Sequence, residues 1–127
     1  MHIPHLYAFA GHPERAAERI HWSLGNRYAN SPEGIPDDED NGCHSAYYIC
    51  NSIGLYPIYG QTVYSVIPPL FEEITVAYGQ TGKSLKIVRT GDGRAVSEVR
   101  INGVKQPGTL IEHRDIAEGG SMEIVTR

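Results

Sequence analysis

Sulfur and indole are scarce in this sequence, with two cysteines, two methionines and one tryptophan among 127 residues. Two cysteines cannot build a disulfide framework, and their spacing argues against even one bridge. Cys43 and Cys50 lie in a segment that reads as helical, which sets them about 10 Å apart along the axis. A bridge tolerates only about 7 Å between Cα atoms. Two free thiols packing as small hydrophobes are expected, and neither belongs to a Cys-x-x-Cys pair that would suggest a metal. Positive charge is not in excess either: 11 Lys and Arg stand against 15 Asp and Glu, for a net charge of −4. The basic residues are scattered, whereas a nucleic-acid partner wants a massed basic face, so that class is set aside. No run of about 18 apolar residues occurs, and the N-terminus lacks the basic region and apolar core of a secretory signal. These absences predict a chain that neither spans a membrane nor carries its own export signal. The length suits one ordinary domain. The opening Met1-His2-Ile3-Pro4-His5-Leu6-Tyr7 has no polar lead-in, as if ordered structure began at once, and reads as a cut end.

Two regimes of patterning follow one another. From His12 to Ala29 the period is helical, with Pro13 suited to a first turn and Ala16, Ile20, Leu24 and Tyr28 on one face. Arg15, Glu18 and Arg19 then face water. Trp22 sits about a quarter turn off that stripe, which predicts packing against structure outside this chain and not sugar stacking. Asn30-Ser31-Pro32-Glu33-Gly34 is turn chemistry, with Gly34 free to take positive φ. A second helix is predicted from a Ser45 N-cap to Ile53, with Ala46, Ile49, Cys50 and Ile53 on its apolar stripe and Gly54 as its stop. After Gly60 the period becomes alternating. Tyr64 to Ile67, Ile74 to Tyr78, Ser84 to Val88, Val96 to Ile101 and Ser121 to Thr126 read as strands punctuated by Gly-rich turns. The fold class is α+β: a helical hairpin over residues 1–60, then an antiparallel sheet over 61–127. Two helices cannot bury both faces alone, so the hairpin must pack on the sheet, on a further partner, or on both.

Between the helices stands Ile35-Pro36-Asp37-Asp38-Glu39-Asp40-Asn41-Gly42, with four acidic residues in a row. A charge run in a loop is most often simply solvated. The spacing argues against an EF-hand, because counting from Asp37 the twelfth position is Tyr48 where a bidentate Glu is required. Adjacent carboxylates repel, so crowding them costs energy unless a cation, a proton or donor groups compensate. A hard cation such as Ca²⁺ would suit the oxygens, and a pair of acids is also equipment for activating water. Asp38 and Asp40 can point the same way, while Glu39 between them turns to the backbone.

The run Tyr28-x-Asn30-x-Pro32-x-Gly34-x-Pro36-x-Asp38-Glu39-Asp40-Asn41-Gly42-x-x-Ser45-Ala46-Tyr47-Tyr48, continuing into Gly54-Leu55-Tyr56-Pro57, resembles the C-terminal part of the catalytic domain of glycoside hydrolase family 92. These are calcium-dependent exo-acting α-mannosidases. Upstream, His2-Ile3-Pro4 and Ala10-Gly11-His12-Pro13 are similar to the lead into one of that domain's helices. Downstream, Pro69-Leu70-Phe71, Ile101-Asn102-Gly103 and His113-x-Asp115-Ile116-x-x-Gly119-Gly120 resemble its β-rich tail. The resemblance covers essentially the whole chain.

It implies a piece of an (α/α)₆ barrel joined to β-sandwich structure, removing terminal α-mannose, with α-1,2 linkages favoured, by inversion at the anomeric carbon. The family's general-base pair falls on Asp38 and Asp40, with Asp40 also the calcium ligand. His2 and Tyr48 fall at positions expected to contact sugar. The family's general acid is a Glu upstream of every matched position, so the resemblance implies half a site, with the remainder of a parent enzyme as the missing partner. Family members are often exported or periplasmic. Asp37 departs from a usual Gly, Cys43 and His44 from a usual Gln and a small or apolar residue, and Tyr47 from a usual Trp. His5 and His12 are expected to pack or face solvent, His113 and Asp115 to link neighbouring elements, Tyr47 to enter the core and Tyr48 to wall a pocket. The implied partner is a mannose-containing glycan, with weak calcium binding by the isolated chain and self-association through uncovered apolar surface. The alternatives are a non-catalytic carbohydrate- or protein-binding module and an inactive remnant.

Overall fold

A computed structural model describes residues 3–127, so the expected sugar contact at His2 lies outside the described residues. A 3-10 turn (Ile3–His5) runs into the one-turn helix α1 (Leu6–Phe9), and then come α2 (Pro13–Arg27) and α3 (Cys43–Ser52), the latter entered through a second 3-10 turn (Asp40–Gly42). The strands are β1 (Leu55–Pro57), β2 (Val63–Val66), β3 (Glu73–Ala77), β4 (Ser84–Thr90), β5 (Val96–Ile101), β6 (Val104–Lys105), β7 (Leu110–Glu112) and β8 (Gly120–Thr126). A short helix α4 (His113–Ile116) precedes the last strand. Helices followed by sheets make the α+β arrangement that the patterning predicts. The short strands β1, β6 and β7 and the one-turn helices went unread, because segments of two to four residues are too short to display a period.

Helix α2 forms as its spacing dictates. Pro13 occupies the first turn, where its missing N–H costs nothing. Ala16, Ala17, Ile20 and Leu24 are buried while Arg15, Glu18 and Arg19 are exposed. Tyr28, the fourth member of the expected stripe, turns extended at the C-cap (φ −116°) and packs on Tyr48 with ring centroids 4.9 Å apart. Helix α3 corrects its expected start and face. It begins at Cys43, behind Gly42 in left-handed conformation (φ +74°), so Ser45 lies within the first turn and is not the cap. Its buried residues are Tyr47, Asn51 and Ser52; of the expected stripe Cys50 and Ile53 are half-buried against the two cores, whereas Ala46 and Ile49 face outward. The aromatic decides the rotation: Tyr47 is 4% exposed and packs edge-on to Tyr56 at 5.7 Å, removing far more apolar area from water than Ala46 could. The stop at Gly54 (φ +79°) is as expected, with its N–H donating to the Asn51 carbonyl at 3.1 Å.

Three strands pair antiparallel in the order β1-β2-β7, so the small sheet joins residues on both sides of Gly60. The larger sheet has the order β3-β4-β8-β5-β6. Its central β4–β8 pair is parallel, with Ile87 opposite Met122 and Arg89 opposite Ile124, while its other pairs are antiparallel. The sheet is therefore mixed, where simple alternation predicted an antiparallel one. The chain enters β8 from α4, which leaves it beside β4 and running the same way, and local periodicity carries no information on strand direction.

Two apolar clusters result. Leu85, Ile87, Val99, Ile101, Ile111, Met122 and Ile124 centre the sheet cluster, while Ala16, Ala17, Ile20, Leu24, Tyr47, Tyr56 and Ile67 centre the helical one. The stretch Ile67 to Leu70 straps them together. Its Ile67 and Leu70 amides donate to the Gly54 and Ser52 carbonyls at 3.1 and 2.9 Å. Its Pro68 carbonyl accepts from His21 Nε2 at 2.8 Å, and its Pro69 carbonyl from Arg89 at 3.0 Å.

Candidate active site

The connection from α2 to α3 is built from its backbone outward. The Ala29 N–H donates to the Gly34 carbonyl at 2.9 Å and the Gly34 N–H to Ser31 at 3.0 Å, closing a turn over Ser31-Pro32-Glu33. Gly34 is needed for close approach, not for the positive φ that turn chemistry suggests: a Cβ there would meet the Ala29 carbonyl oxygen at 1.8 Å. The acidic run begins after this turn, and its four carboxylates divide their duties. Asp37, in left-handed conformation (φ +58°), pairs with Arg27 at 3.5 Å. Glu39 accepts the amide protons of His44 at 3.1 Å and Ser45 at 2.9 Å, two first-turn donors of α3 that no helical carbonyl can reach. These bonds, with Ser45 foremost, hold its carboxyl below the usual carboxylate range. Asp38 and Asp40 are exposed, and among the described residues neither carboxylate has a hydrogen-bond or ion-pair partner.

A cleft of about 450 Å³ opens beside this loop, with Tyr28, Asn30, Ile35, Ser45, Tyr48 and Ile49 among its walls. Tyr48 is where the sequence reading put it, as a pocket wall, and Tyr47 is in the core, where burial pushes its hydroxyl up to about 12. The Tyr28 O–H donates to the His44 carbonyl at 3.3 Å, and burial followed by the nearby Glu39 charge raises its pKa. Ser45, whose amide binds Glu39, is part of the wall, so the acidic loop borders the cleft although Asp38 and Asp40 do not line it. The tyrosine faces of Tyr28 and Tyr48 were not foreseen as a pair. The signal available was that the first helix must end before Asn30, which frees Tyr28 from its helical face.

Among the described residues no group of three or more His, Cys, Asp or Glu gathers to hold a metal. Calcium takes roughly six to eight oxygens, so Asp38 and Asp40 do not by themselves fit a resident ion. The remaining candidates take packing or surface positions. His5 stacks on Tyr56 at 4.1 Å inside the helical cluster, and His12 is exposed beside Glu14 at 3.3 Å. His113 meets the Tyr64 hydroxyl at 3.1 Å, linking α4 to the small sheet. Both cysteines are free. No helix among the described residues is long and apolar enough to cross a membrane.

Comparisons with known proteins agree along the length of the chain. It is 27% identical over 124 residues to a protein of Arthroderma benhamiae named an uncharacterized secreted glycosidase, covering 94% of this chain and 16% of that one. Its structure is similar to that of a family GH92 α-mannosidase from Bacteroides thetaiotaomicron in complex with mannoimidazole, with a TM-score of 0.87 and 27% identity, covering 99% of this chain and 17% of the other. A family GH92 inverting mannosidase of the same organism shares the fold at a TM-score of 0.73 and 23% identity, covering 89% of this chain and 16% of its own. The chain thus spans about a sixth of the length of these relatives. The description of the glycosyl hydrolase family 92 catalytic domain matches residues 1–127, and this chain belongs to that family.

Proposed function

We propose that this chain is the general-base segment of an inverting exo-α-mannosidase acting on terminal, α-1,2-linked mannose. One observation supports the reading above others: the protein engages Asp37 and Glu39 in its own structure and leaves the Asp38 and Asp40 carboxylates free, in a loop that meets a cleft through Ser45. In that reading Asp38 takes a proton from a water molecule as the water attacks the anomeric carbon, on the face opposite the departing oxygen. The departing oxygen receives its proton from a carboxylic acid about 6.5–9.5 Å away, the separation that leaves room for the water. That acid belongs to a part of the enzyme outside this chain. Asp40 orients the same water and is the residue here that would give an oxygen to calcium, whose other ligands would come from elsewhere. Tyr48 offers its ring face to sugar.

Two outcomes follow. The 127-residue chain alone does not turn over an α-1,2-mannoside, because base without acid gives no balanced proton transfer. When the chain replaces the matching segment of the Bacteroides thetaiotaomicron α-mannosidase, the hybrid hydrolyses the substrate. In that hybrid Asp38→Asn lowers kcat by about 10²–10⁴-fold, the usual scale for general-base catalysis, and Asp37→Asn leaves it nearly intact. Turnover by the isolated chain, or equal losses from the two substitutions, would overturn the assignment.

A further inference from the structure

A second cleft, of about 470 Å³ and sharing no wall residue with the first, lies along α2 where that helix meets the strap and the loop between β4 and β5. Trp22, the chain's sole tryptophan and by its spacing expected to pack on structure outside this chain, is 57% exposed in a wall whose other members, Leu70 apart, are polar or charged, a lining that suits a sugar better than an apolar neighbour. Asn26 stands one helical turn further on, and its amide donates to the Trp22 carbonyl at 2.7 Å, leaving its side-chain oxygen to accept. Arg19 and Arg94 are exposed in the same lining, and among the described residues neither guanidinium has an ion-pair partner. Leu70 closes the cleft, and Glu18 adds one carboxylate, so the balance of charge there is positive. Its reach extends inward: after burial, the charges of Arg94 and Arg89 are what lower the pKa of the adjacent His21.

An exposed indole in a pocket with amide and guanidinium groups has a recognisable chemistry. The indole face accepts the C–H face of a pyranose ring, the amide meets hydroxyls, and guanidinium forks take carboxylate, phosphate or sulfate oxygens by paired, charge-assisted hydrogen bonds. A neutral glycan would leave both guanidiniums unanswered. We propose that this cleft is a binding subsite for an anionic sugar, with the ring on Trp22 and the charged substituent on Arg19 and Arg94. It is separate from the acidic-loop cleft and independent of the catalytic reading.

Because Trp22 is the only tryptophan, its fluorescence reports on this cleft alone. The whole chain is titrated with glucose 6-phosphate, glucuronate, glucose and inorganic phosphate. Saturable change is expected with at least one of the two charged sugars, and which one it is distinguishes a phosphate from a carboxylate substituent. Glucose and inorganic phosphate bind at least about tenfold more weakly, since each satisfies only half of the site. Arg94→Gln weakens the charged sugar by about tenfold or more, the scale of one charge-assisted bond, while the far-ultraviolet circular dichroism stays unchanged. Arg94 is exposed in a loop, so the variant folds. No saturable change with either charged sugar, inorganic phosphate binding as tightly as the sugar phosphate, or an Arg94→Gln variant that binds like the parent would each overturn the proposal.

Discussion

The two halves of this chain bury their apolar residues to different degrees. In the sheet half, Leu85, Ile87 and Ile124 are fully buried, and Val99, Met122 and Ile111 are at most 2% exposed. In the helical half the core is narrower and rests on Ala16, Ala17 and Ile20, while Ile3, Leu6, Phe9 and Ile49 are 67, 54, 43 and 59% exposed. After Gly60, the exposed large hydrophobics among the described residues are only Leu70, Phe71 and Val104. The contrast follows from architecture. Paired strands alternate faces and close a core with few partners, whereas a helix with a broad apolar face needs neighbours on more than one side. A segment spanning about a sixth of its relatives' length supplies those neighbours to its strands and not to all sides of its helices.

The largest expected effect tests that contrast directly. Ile87→Ala removes a fully buried side chain from the sheet cluster and should cost about 3 kcal/mol, from lost transfer energy and the cavity left behind. Ile49→Ala, at a residue 59% exposed, should cost about 0.5 kcal/mol or less. Urea denaturation monitored by circular dichroism measures both. Equal losses would mean that Ile49 is covered in solution, and the isolated chain would then be self-associated through its helical face, which a concentration-dependent midpoint would reveal.

A smaller effect sits at the junction of the halves. His21 on α2 donates to the Pro68 carbonyl of the strap, and burial, reinforced by Arg94 and Arg89, holds its pKa below the ordinary imidazole value. A depressed value means the folded state binds its proton less readily than the unfolded one. The stability is therefore full above the ordinary value of about 6.5 and declines as pH falls below it, towards the folded-state pKa. His21→Gln keeps an N–H donor for Pro68 but cannot titrate. Its denaturation midpoint should change less between pH 7 and pH 5 than that of the parent chain. Identical slopes would show that the strap does not depend on the state of this imidazole.

The sequence was most legible where one residue type decides the outcome. Pro13 starts α2, Gly54 ends α3, and the strands from β2 to β5 and β8 follow alternation with boundaries within two residues or so. It was least legible where several residues compete. The face of α3 was read only in part: Cys50 and Ile53 pack inward, but periodicity counts Ala46 and Ile49 as equals of Tyr47, while packing against Tyr56 and His5 favours the larger ring. The parallel β4–β8 pair depends on a long return of the chain that no local pattern encodes. Within the candidate site, the acidic run was conspicuous and the turning of Glu39 to the backbone was among its readings. The opposing pair Tyr28 and Tyr48 needed the end of α2 to be located first.

The smallest effect concerns the boundary between structural and free carboxylates. Glu39 caps α3 by accepting from His44 and Ser45, and its depressed pKa follows from those bonds. The cap is present above the ordinary glutamate value and is lost as pH falls through the folded-state value, because a protonated carboxyl is a poorer acceptor. Glu39→Ala should therefore speed hydrogen exchange at the His44 and Ser45 amides and fray the first turn of α3 without unfolding the sheet. Asp38→Ala and Asp40→Ala should leave exchange at those two amides unchanged, because neither side chain contacts them. If Asp38→Ala accelerated exchange as Glu39→Ala does, the division of duties in the acidic loop would fail. Asp38 would then belong with the scaffold, and the role proposed for it as the base that activates water would lose its free carboxylate.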